Sequence, residues 1–231
     1  MQGYEFSLSG VKLIACPRGV LWIPASKTLV VSDLHLGKAE RIARREGRLT
    51  PPYEALETIE RLTEAVDQLR PAEVVCLGDS FDDSTAALDI EEDIALSLMR
   101  LMAGRSWIWI MGNHDPEPSG LGGTYLDQYH VGPIVFRHIA LKGARGEISG
   151  HYHPKVWLRG RGRASFIIDD ARVILPAFGT YTGGLDAASE VFDDLFSQDA
   201  LALLTGARII PTPRSKLPKR RRLTPHRLKA V

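Results

Sequence analysis

The stretch TLVVSDLHLG, residues 28–37, contains the pattern that decides the fold. Its β-branched beginning predicts a buried strand, and the polar residues that follow predict a loop at the carboxyl end of that strand. The same order, an apolar run followed by a polar loop, recurs at residues 73–79 and at residues 107–115. The first half of the chain is therefore built from one repeated arrangement.

Helical patterns follow these loops. In residues 51–69, which open with two prolines, apolar side chains recur at spacings of three and four. Residues 84–102 predict a second helix, and the basic residues 39–45 predict a short one. Strands that alternate with helices favour a largely parallel sheet, in which ligand groups collect at the carboxyl ends of the strands.

The remaining parts of the chain predict mainly strands. Residues 6–15 and 20–23 suggest two strands of a hairpin around Pro17-Arg18-Gly19, and the second half has short apolar runs with tight turns. A second, mostly antiparallel sheet is expected from these runs. They lie at residues 134–136, 156–158, 166–168 and 172–175 and near Leu201 and Ala207, with a helix expected over residues 185–196 and no structure after Pro211.

The composition is that of an ordinary globular protein, with 231 residues, 44% of them hydrophobic and 25% charged. Both cysteines, Cys16 and Cys76, lie in apolar runs, which favours two buried thiols over a disulfide. No apolar run reaches the length of about 18 residues that a membrane span needs, and residues 1–5 show no basic region followed by an apolar stretch. A cytoplasmic protein without a membrane partner is expected.

The charge is distributed unevenly. Residues 214–229 hold eight of the 29 basic residues and no acid, so the rest has 21 basic against 28 acidic residues. We therefore expect a catalytic domain over residues 1–211 and a basic tail over residues 212–231. Such tails often bind nucleic acid, although a flexible solubilising terminus has the same composition.

Histidine, carboxylate and amide side chains gather in the predicted strand-end loops. Imidazole, carboxylate and amide oxygen together suit divalent Mn²⁺, Fe or Zn²⁺, and no cysteine lies in these loops as a structural zinc site would require. His138 is favoured over the nearby His130 because it ends an apolar strand. In chain order the groups are Asp33 with His35, Asp79, Asn113-His114-Asp115, His138, and His151 with His153.

Spacing supports one shared site. Residues i and i+2 of an extended chain point the same way, so Asp33 with His35, and His151 with His153, would each present two ligands toward one point. Glycines at positions 37, 78, 112 and 150 permit tight loops beside a metal–phosphate cluster.

Four of these loops resemble the motifs of a known family. SDLHLG (residues 32–37), LGDSFDD (77–83), GNHD (112–115) and GHYH (150–153) are similar to those of the calcineurin-like binuclear metallophosphoesterases. The resemblance implies an α/β fold of four layers, α-β-β-α, in which two mixed sheets pack face to face between flanking helices.

The resemblance also implies a role for each residue. Asp33, His35 and His153 would hold one metal ion, Asn113, His138 and His151 would hold the other, and Asp79 would bridge the pair. His114 would face the substrate without binding metal, oriented by Asp115. Two cations about 3.5–4 Å apart activate a bridging hydroxide for in-line attack on phosphorus, and His114 could then donate a proton to the leaving oxygen.

A narrower resemblance covers most of the chain. Residues 32–39, 51–53, 112–116, 132–138 and 175–185 are similar to the ligase-associated DNA damage response phosphoesterases. This implies a manganese-dependent endonuclease that cleaves DNA, single strands especially, in repair together with a ligase, a helicase and an exonuclease. That family usually has histidine where this chain has Asp82. A role of this side chain behind the metal ligands or at the substrate is therefore in doubt. A phosphatase or phosphodiesterase of small nucleotides, and a scaffold without catalytic activity, are the alternatives.

Four residues are candidates for binding the substrate. Arg41, after the first motif, and Arg137, before His138, could contact phosphate, although strand alternation would point Arg137 away from the site. Phe178 and Tyr181, set among glycines, could form a stacking platform for a base. A solvated helix face for Arg41 and packing against a bend for the two aromatic residues are the competing interpretations.

Overall fold

The computed structural model describes residues 3–38, 53–82, 90–116 and 120–218. In this part of the chain two mixed β-sheets lie face to face, with helices on the outer side of the first sheet. The predicted α/β class and the two packed sheets are confirmed.

The first sheet has seven strands that neighbour one another in chain order. The first four pair antiparallel, and each later strand is parallel to the one before it. The parallel part is therefore the repeated strand–loop–helix region. The strands are β1 (Tyr4–Leu8), β2 (Val11–Ala15), β3 (Leu21–Ile23), β4 (Thr28–Val31), β5 (Glu73–Leu77), β6 (Ser106–Ile110) and β7 (Thr124–Leu126).

Two helices cover the outer face of this sheet, as the spacing of apolar residues predicts. They are α1 (Glu54–Leu69) and α2 (Glu92–Met102), and each buries one apolar stripe. Successive side chains of β4 point to opposite faces of the sheet. Leu29 and Val31 pack against the helices, whereas Val30 faces the second sheet.

The second sheet has eight strands and is mostly antiparallel, as expected. The exception is β10, which lies parallel to both β9 and β13. This exception matters for the site, because it turns the carboxyl ends of β9 and β10 to the same edge. The strands are β8 (Gln128–Val131), β9 (Ile134–Arg137), β10 (Glu147–Ser149), β11 (Lys155–Leu158), β12 (Arg161–Ile168), β13 (Arg172–Ile174), β14 (Leu201–Leu204) and β15 (Ile210–Pro213).

The main core lies between the sheets. Val75 and Ile108 from the first sheet join Phe136 and Phe166 from the second in one buried cluster. Each such side chain stabilises the fold by about 1.5–3 kcal/mol relative to an exposed one. The strand ends at the edge of this core therefore project from a rigid support.

The outer face of the second sheet differs from the expectation. Residues 185–196 do not form the predicted helix, and only a 3₁₀ turn, Glu190–Phe192, lies in that range. The carboxylate of Asp186 accepts from the backbone N–H of Ala188, and the Ser189 hydroxyl accepts from that of Val191. Such local side-chain contacts compete with helix formation.

Two further predictions are corrected at the ends of the domain. Residues 6–15 form two strands, because Ser9 and Gly10 both have positive φ (48° and 80°) and make a tight turn. Structure also continues after Pro211, since β15 pairs with β14 and a 3₁₀ turn, Arg214–Lys216, follows. Prolines are tolerated in β15 because it is an edge strand.

Both cysteines are buried and free, as predicted, and burial raises the pKa of each thiol. None of the described helices combines the length and apolar character of a membrane-crossing segment. The predicted basic helix over residues 39–45, the start of the helix predicted over residues 84–102, and the basic residues from Lys219 onward lie outside the described residues.

Candidate metal centre

Five loops from two sheets meet at one edge of the molecule. Three follow the neighbouring parallel strands β4, β5 and β6, and two follow β9 and β10. Because the strands of each set run in one direction, their carboxyl ends open toward the same place. Histidine, aspartate and asparagine side chains that lie far apart in sequence become neighbours there.

Asp33, His35 and His153 form a first group, called here the Asp33 cluster. Asp33 Oδ1 lies 3.0 Å from His153 Nε2, and the Nε2 atoms of the two histidines lie 3.4 Å apart. The hydroxyl of Ser32 donates to the Asp33 carboxylate, and the backbone N–H of His151 donates to both its oxygens, at 3.2 and 3.0 Å. The carboxylate is thus held in one orientation.

Asp79, His138 and His151 form a second group, the Asp79 cluster. His138 Nδ1 lies 2.7 Å from the backbone carbonyl oxygen of Leu77 and donates to it. In the neutral imidazole Nε2 therefore carries no hydrogen, and it faces Asn113 Oδ1 at 3.0 Å, His151 Nδ1 at 3.2 Å and Asp79 Oδ2 at 3.4 Å. This is the tautomer that a metal-binding histidine needs.

The two clusters adjoin each other, and their charges are coupled. Burial on its own would raise the pKa of Asp33, but the hydrogen bond and charge of His153 and the charge of His138 hold it below its usual value. Burial on its own would likewise raise the pKa of Asp79, but the hydrogen bond and charge of His138 outweigh burial and hold this pKa below its usual value. Burial disfavours protonated His138, yet contacts with Asp79 and Asp33 raise its pKa to about 9.

His114 and Asp115 do not interact as predicted. The Nδ1 of His114 lies 2.9 Å from the backbone carbonyl oxygen of Asp82, so this carbonyl, and not Asp115, orients the exposed imidazole. The carboxylate of Asp115 instead accepts from the backbone N–H groups of Asp79, Gly112, Ser80 and Phe81 at 2.7–3.2 Å. Asp115 therefore holds the Asp79 loop in place, and burial raises its pKa to about 6.

The ligand pairs converge for a different reason from the one predicted. Asp33, His35, Asp79, His151 and His153 all have positive φ, between 45° and 69°. They are in left-handed turns and not in extended chain, a conformation that costs a non-glycine residue of the order of 1–3 kcal/mol. Tight turns, stabilised by the surrounding hydrogen bonds, aim these side chains.

Two of the predicted glycines are required by close packing. A Cβ atom at Gly112 would overlap the backbone nitrogen and carboxylate of Asp79, and one at Gly150 would overlap the Ser32 hydroxyl. Any side chain at either position would displace a carboxylate of the two clusters.

The predicted substrate-binding residues have different locations. Arg137 points away from the site, with its Nε 3.3 Å from the carboxylate of buried Glu147. Phe178 is 0% exposed beneath the guanidinium of Arg61, which favours its interpretation as a packing residue. Tyr181 is 51% exposed, and Arg41 lies outside the described residues.

Tyr181 belongs to a segment that lies against the Asp33 loop. The backbone N–H of Gly179 donates to the carbonyl of Asp33 at 3.0 Å, and Gly184 packs on the carbonyl of His153.

The alternative ligand His130 lies on the exposed side of β8 and in none of the potential metal groups of the described residues.

Three residues of the site were not singled out as partners of the ligands. The Ser32 hydroxyl contacts Asp33, Asp82 Oδ1 lies 3.0 Å from His35 Nδ1, and Lys38 Nζ lies 3.8 Å from the same Asp82 atom. Each is within three residues of a predicted ligand, and Asp82 also stands at a position where the resembled family usually has histidine.

The donors present fit divalent metal ions. Within each cluster the donor atoms lie within 4.8 Å of one another, and they are imidazole nitrogens and carboxylate oxygens, with the Asn113 amide beside the Asp79 cluster. Ring nitrogens that face each other at 3.2 and 3.4 Å need a proton or a cation between them. This set suits Mn²⁺, Fe or Zn²⁺.

One of the known structures that resemble this chain shares its fold. The Pseudomonas putida nuclease MPE superimposes with a TM-score of 0.75 at 24% sequence identity, covering 91% of this chain and 100% of that chain. A phosphoesterase from E. coli, Yfce, has 16% identity and a TM-score of 0.38, covering 68% of this chain and 83% of that one. No curated protein matches the sequence.

The sequence itself matches a family model. The calcineurin-like phosphoesterase model covers residues 26–167, more than half of the chain and all seven candidate ligands. Members of this family bind two divalent metal ions, which agrees with two adjoining donor clusters. The chain belongs to the calcineurin-like phosphoesterase family and is a metal-dependent hydrolase.

Proposed function

We propose that the protein is a manganese-dependent phosphodiesterase that cleaves DNA internally, with single strands as the preferred substrate. The Asp33 cluster holds one cation in this proposal. His138, His151 and Asn113 would hold the other, and Asp79 would contribute to both.

The observation that carries the proposal is the pairing of histidines within the two clusters. His35 faces His153 at 3.4 Å, and His138 faces His151 at 3.2 Å, each pair beside a buried carboxylate. A histidine pair at this distance can share one proton, whereas two protonated rings would repel each other. A divalent cation bound by both rings can take the place of that proton, and the carboxylates offset its charge.

When bound, the two cations would supply a water nucleophile at neutral pH and stabilise the charge on phosphate. The protein's own residues do the rest. His114 donates Nδ1–H to the Asp82 carbonyl, so its Nε2 is directed away from that contact toward solvent. In its protonated form, His114 can donate a proton from Nε2 to the leaving oxygen.

Several features support a polynucleotide over a small substrate. The structurally similar Pseudomonas putida protein is a nuclease. Lys155 is held by the Thr182 carbonyl at 2.6 Å, and burial and then the charge of nearby Lys38 lower its pKa. A phosphate group bound between these lysines would relieve that repulsion. Tyr181 offers an exposed ring beside the Asp33 loop for stacking on a base.

The cellular role follows from the narrower resemblance. We propose that the protein acts in the cytoplasm on DNA during repair, together with a ligase, a helicase and an exonuclease. The basic residues 219–231 would add attraction to the DNA backbone.

A nuclease assay tests the proposal. The metal-free protein is given Mn²⁺, Zn²⁺ or Mg²⁺ and presented with labelled single-stranded, duplex and flapped DNA, and with a small chromogenic diester. We expect internal cleavage of single strands with Mn²⁺ and a steep loss of binding as salt increases. His130→Ala, which removes an exposed histidine outside both clusters, is the matched control for His138→Ala.

Two results would contradict the proposal in different ways. Hydrolysis of the small diester without cleavage of any DNA would indicate that the protein is instead a phosphodiesterase of small nucleotides. Fewer than one bound Mn²⁺ per chain under manganese-replete conditions would remove the metal centre altogether.

A further inference from the structure

Asp82 is a buried carboxylate whose presence needs an explanation. It is 0% exposed and lies three residues after Asp79 in the same loop. An ionised carboxylate in such a place costs several kcal/mol unless nearby groups compensate it. Its surroundings therefore indicate what it does.

The loop that carries Asp82 is joined to the His35 loop by main-chain hydrogen bonds. The N–H of His35 donates to the Asp79 carbonyl at 2.9 Å, and the N–H of Asp82 donates to the Leu36 carbonyl at 3.0 Å. Leu36 and Phe81 also form a parallel β-bridge. The backbone thus sets the position of the Asp82 side chain relative to the imidazole of His35.

The carboxylate lies close to several cationic or protonatable groups, among them His35, Lys38 and His114. Asp82 Oδ1 is 3.0 Å from His35 Nδ1 and 3.8 Å from Lys38 Nζ. The two atoms of the His35 contact are close together, at an angle that departs from that of a straight hydrogen bond. On the opposite side of the ring, His35 Nε2 faces His153 within the Asp33 cluster.

We propose that Asp82 is a positioning residue that keeps hydrogen on Nδ1 of His35, so that Nε2 is the metal-binding atom, and that it strengthens the Asp33 cluster over the Asp79 cluster. The inference rests on the metal centre proposed above. A carboxylate behind a histidine ligand fixes its tautomer and increases its basicity.

The two clusters differ in this respect. The corresponding nitrogen of His138 donates to a neutral carbonyl, that of Leu77. Besides the shared Asp79, the Asp33 cluster therefore has Asp33 within it and Asp82 behind His35, whereas the Asp79 cluster has no further aspartate among its members. We expect the two metal ions to bind with unequal affinity, the tighter one in the Asp33 cluster.

A role of the Asp82 side chain at the substrate is the competing explanation. The backbone of Asp82 does orient His114, through the carbonyl oxygen. A side-chain substitution leaves that carbonyl in place. Asp82→Ala and Asp82→Asn therefore isolate the effect of the carboxylate from that of the main chain.

The experiment is a titration of the full-length, metal-free protein with Mn²⁺, in which binding is measured by calorimetry and by electron paramagnetic resonance. For the wild type we expect two bound ions with distinct Kd values. Asp82→Ala should weaken one Kd by about 10- to 100-fold and leave the other within a factor of about three. Asp82→Asn, which keeps an oxygen acceptor without the charge, should lie between.

Kinetics provide a second measurement. At saturating Mn²⁺, the kcat of Asp82→Ala on a chromogenic diester should return to within about threefold of the wild-type value. The reason is that the substitution lowers activity only by lowering metal occupancy. Asp194→Ala removes an exposed carboxylate that pairs with Lys142 outside the two clusters, and serves as the control with both Kd values unchanged.

The outcomes separate this inference from the proposed function. If the wild type does not bind two ions, the metal centre fails. If it binds two and both Asp82 variants keep both Kd values, or if kcat remains low at saturating Mn²⁺, Asp82 does not act through His35. Should Asp82→Ala fail to fold, the titration of Asp82→Asn decides alone.

Discussion

The floor and the rim of the site are constructed differently. The floor consists of Asp33, His35, Asp79 and His138, which are buried and are each held by more than one contact. His114 and Tyr181 form the rim, and their side chains are largely open to solvent. The floor has rigid geometry that would suit metal binding, while the rim is free to contact a substrate.

The floor residues also differ from the rim residues in the conformational energy of their backbone. Three of the four floor residues are in left-handed turns and depend on their hydrogen bonds to stay there. A change in the floor should therefore alter metal binding and local structure together. A change in the rim should alter catalysis or substrate binding and leave the metal ions bound.

The largest effect is expected from Asp79→Ala, in the floor. It removes the proposed shared carboxylate, so one or both Mn²⁺ ions should be lost and kcat should fall at least about 1000-fold, equal to about 4 kcal/mol. Metal content and diester hydrolysis measured on one preparation provide the check. His130→Ala is the control, and an Asp79→Ala protein with two ions and full activity would refute the assignment.

A smaller effect is expected from His114→Ala, in the rim. Both metal ions should remain, and kcat should fall by about 100-fold, the lower end for a lost general acid. The loss should be greatest for substrates with poor leaving groups, which depend most on proton donation. Rates across a series of aryl phosphodiesters test this, and an equal loss for all leaving groups would contradict the role.

The next prediction concerns pH and the floor residue His138. Its pKa is raised from 6.5 to about 9 in the metal-free protein, so metal has to displace a proton. Mn²⁺ affinity should increase about tenfold per pH unit between about pH 7 and pH 8.5 and level off above the pKa.

The stability of the metal-free protein should change in the opposite direction. Because the folded-state pKa is raised, the contribution of protonated His138 is fully present below pH 6.5 and is lost as the pH rises through about 9. Thermal unfolding without metal, compared with that of His138→Asn, measures this. A metal affinity that is constant over this range would show that no proton is displaced.

The smallest effect is expected on DNA binding and concerns Tyr181, which lies in the same segment as the buried Phe178. Tyr181→Ala should weaken single-stranded DNA binding by about 1 kcal/mol, roughly fivefold, and leave hydrolysis of a small diester unchanged. Phe178→Ala should instead destabilise the fold by about 3–5 kcal/mol, because its ring is fully buried. Unaltered DNA binding by Tyr181→Ala would remove the proposed stacking role.

Local patterns were sufficient for the repeated part of the fold. The β-branched runs of β4 and β5 and the apolar stripe of α1 predict their elements within a few residues. The helix expected over residues 185–196 was wrong, because Asp186 and Ser189 satisfy nearby backbone N–H groups in a way that apolar spacing does not reveal. The turn at Ser9-Gly10, which depends on the positive φ of these two residues, was missed because apolar residues surround it.

The sequence by itself determined the parallel strand–loop–helix order and the identity of the donors, since residue type and spacing decide both. Tertiary structure alone decided which partner each donor has. Asp115 follows His114 directly yet binds the backbone of the Asp79 loop, and Asp82 lies beside His35, 47 positions away in the chain. Such contacts depend on how separate loops pack at the sheet edge, and no local pattern encodes that packing.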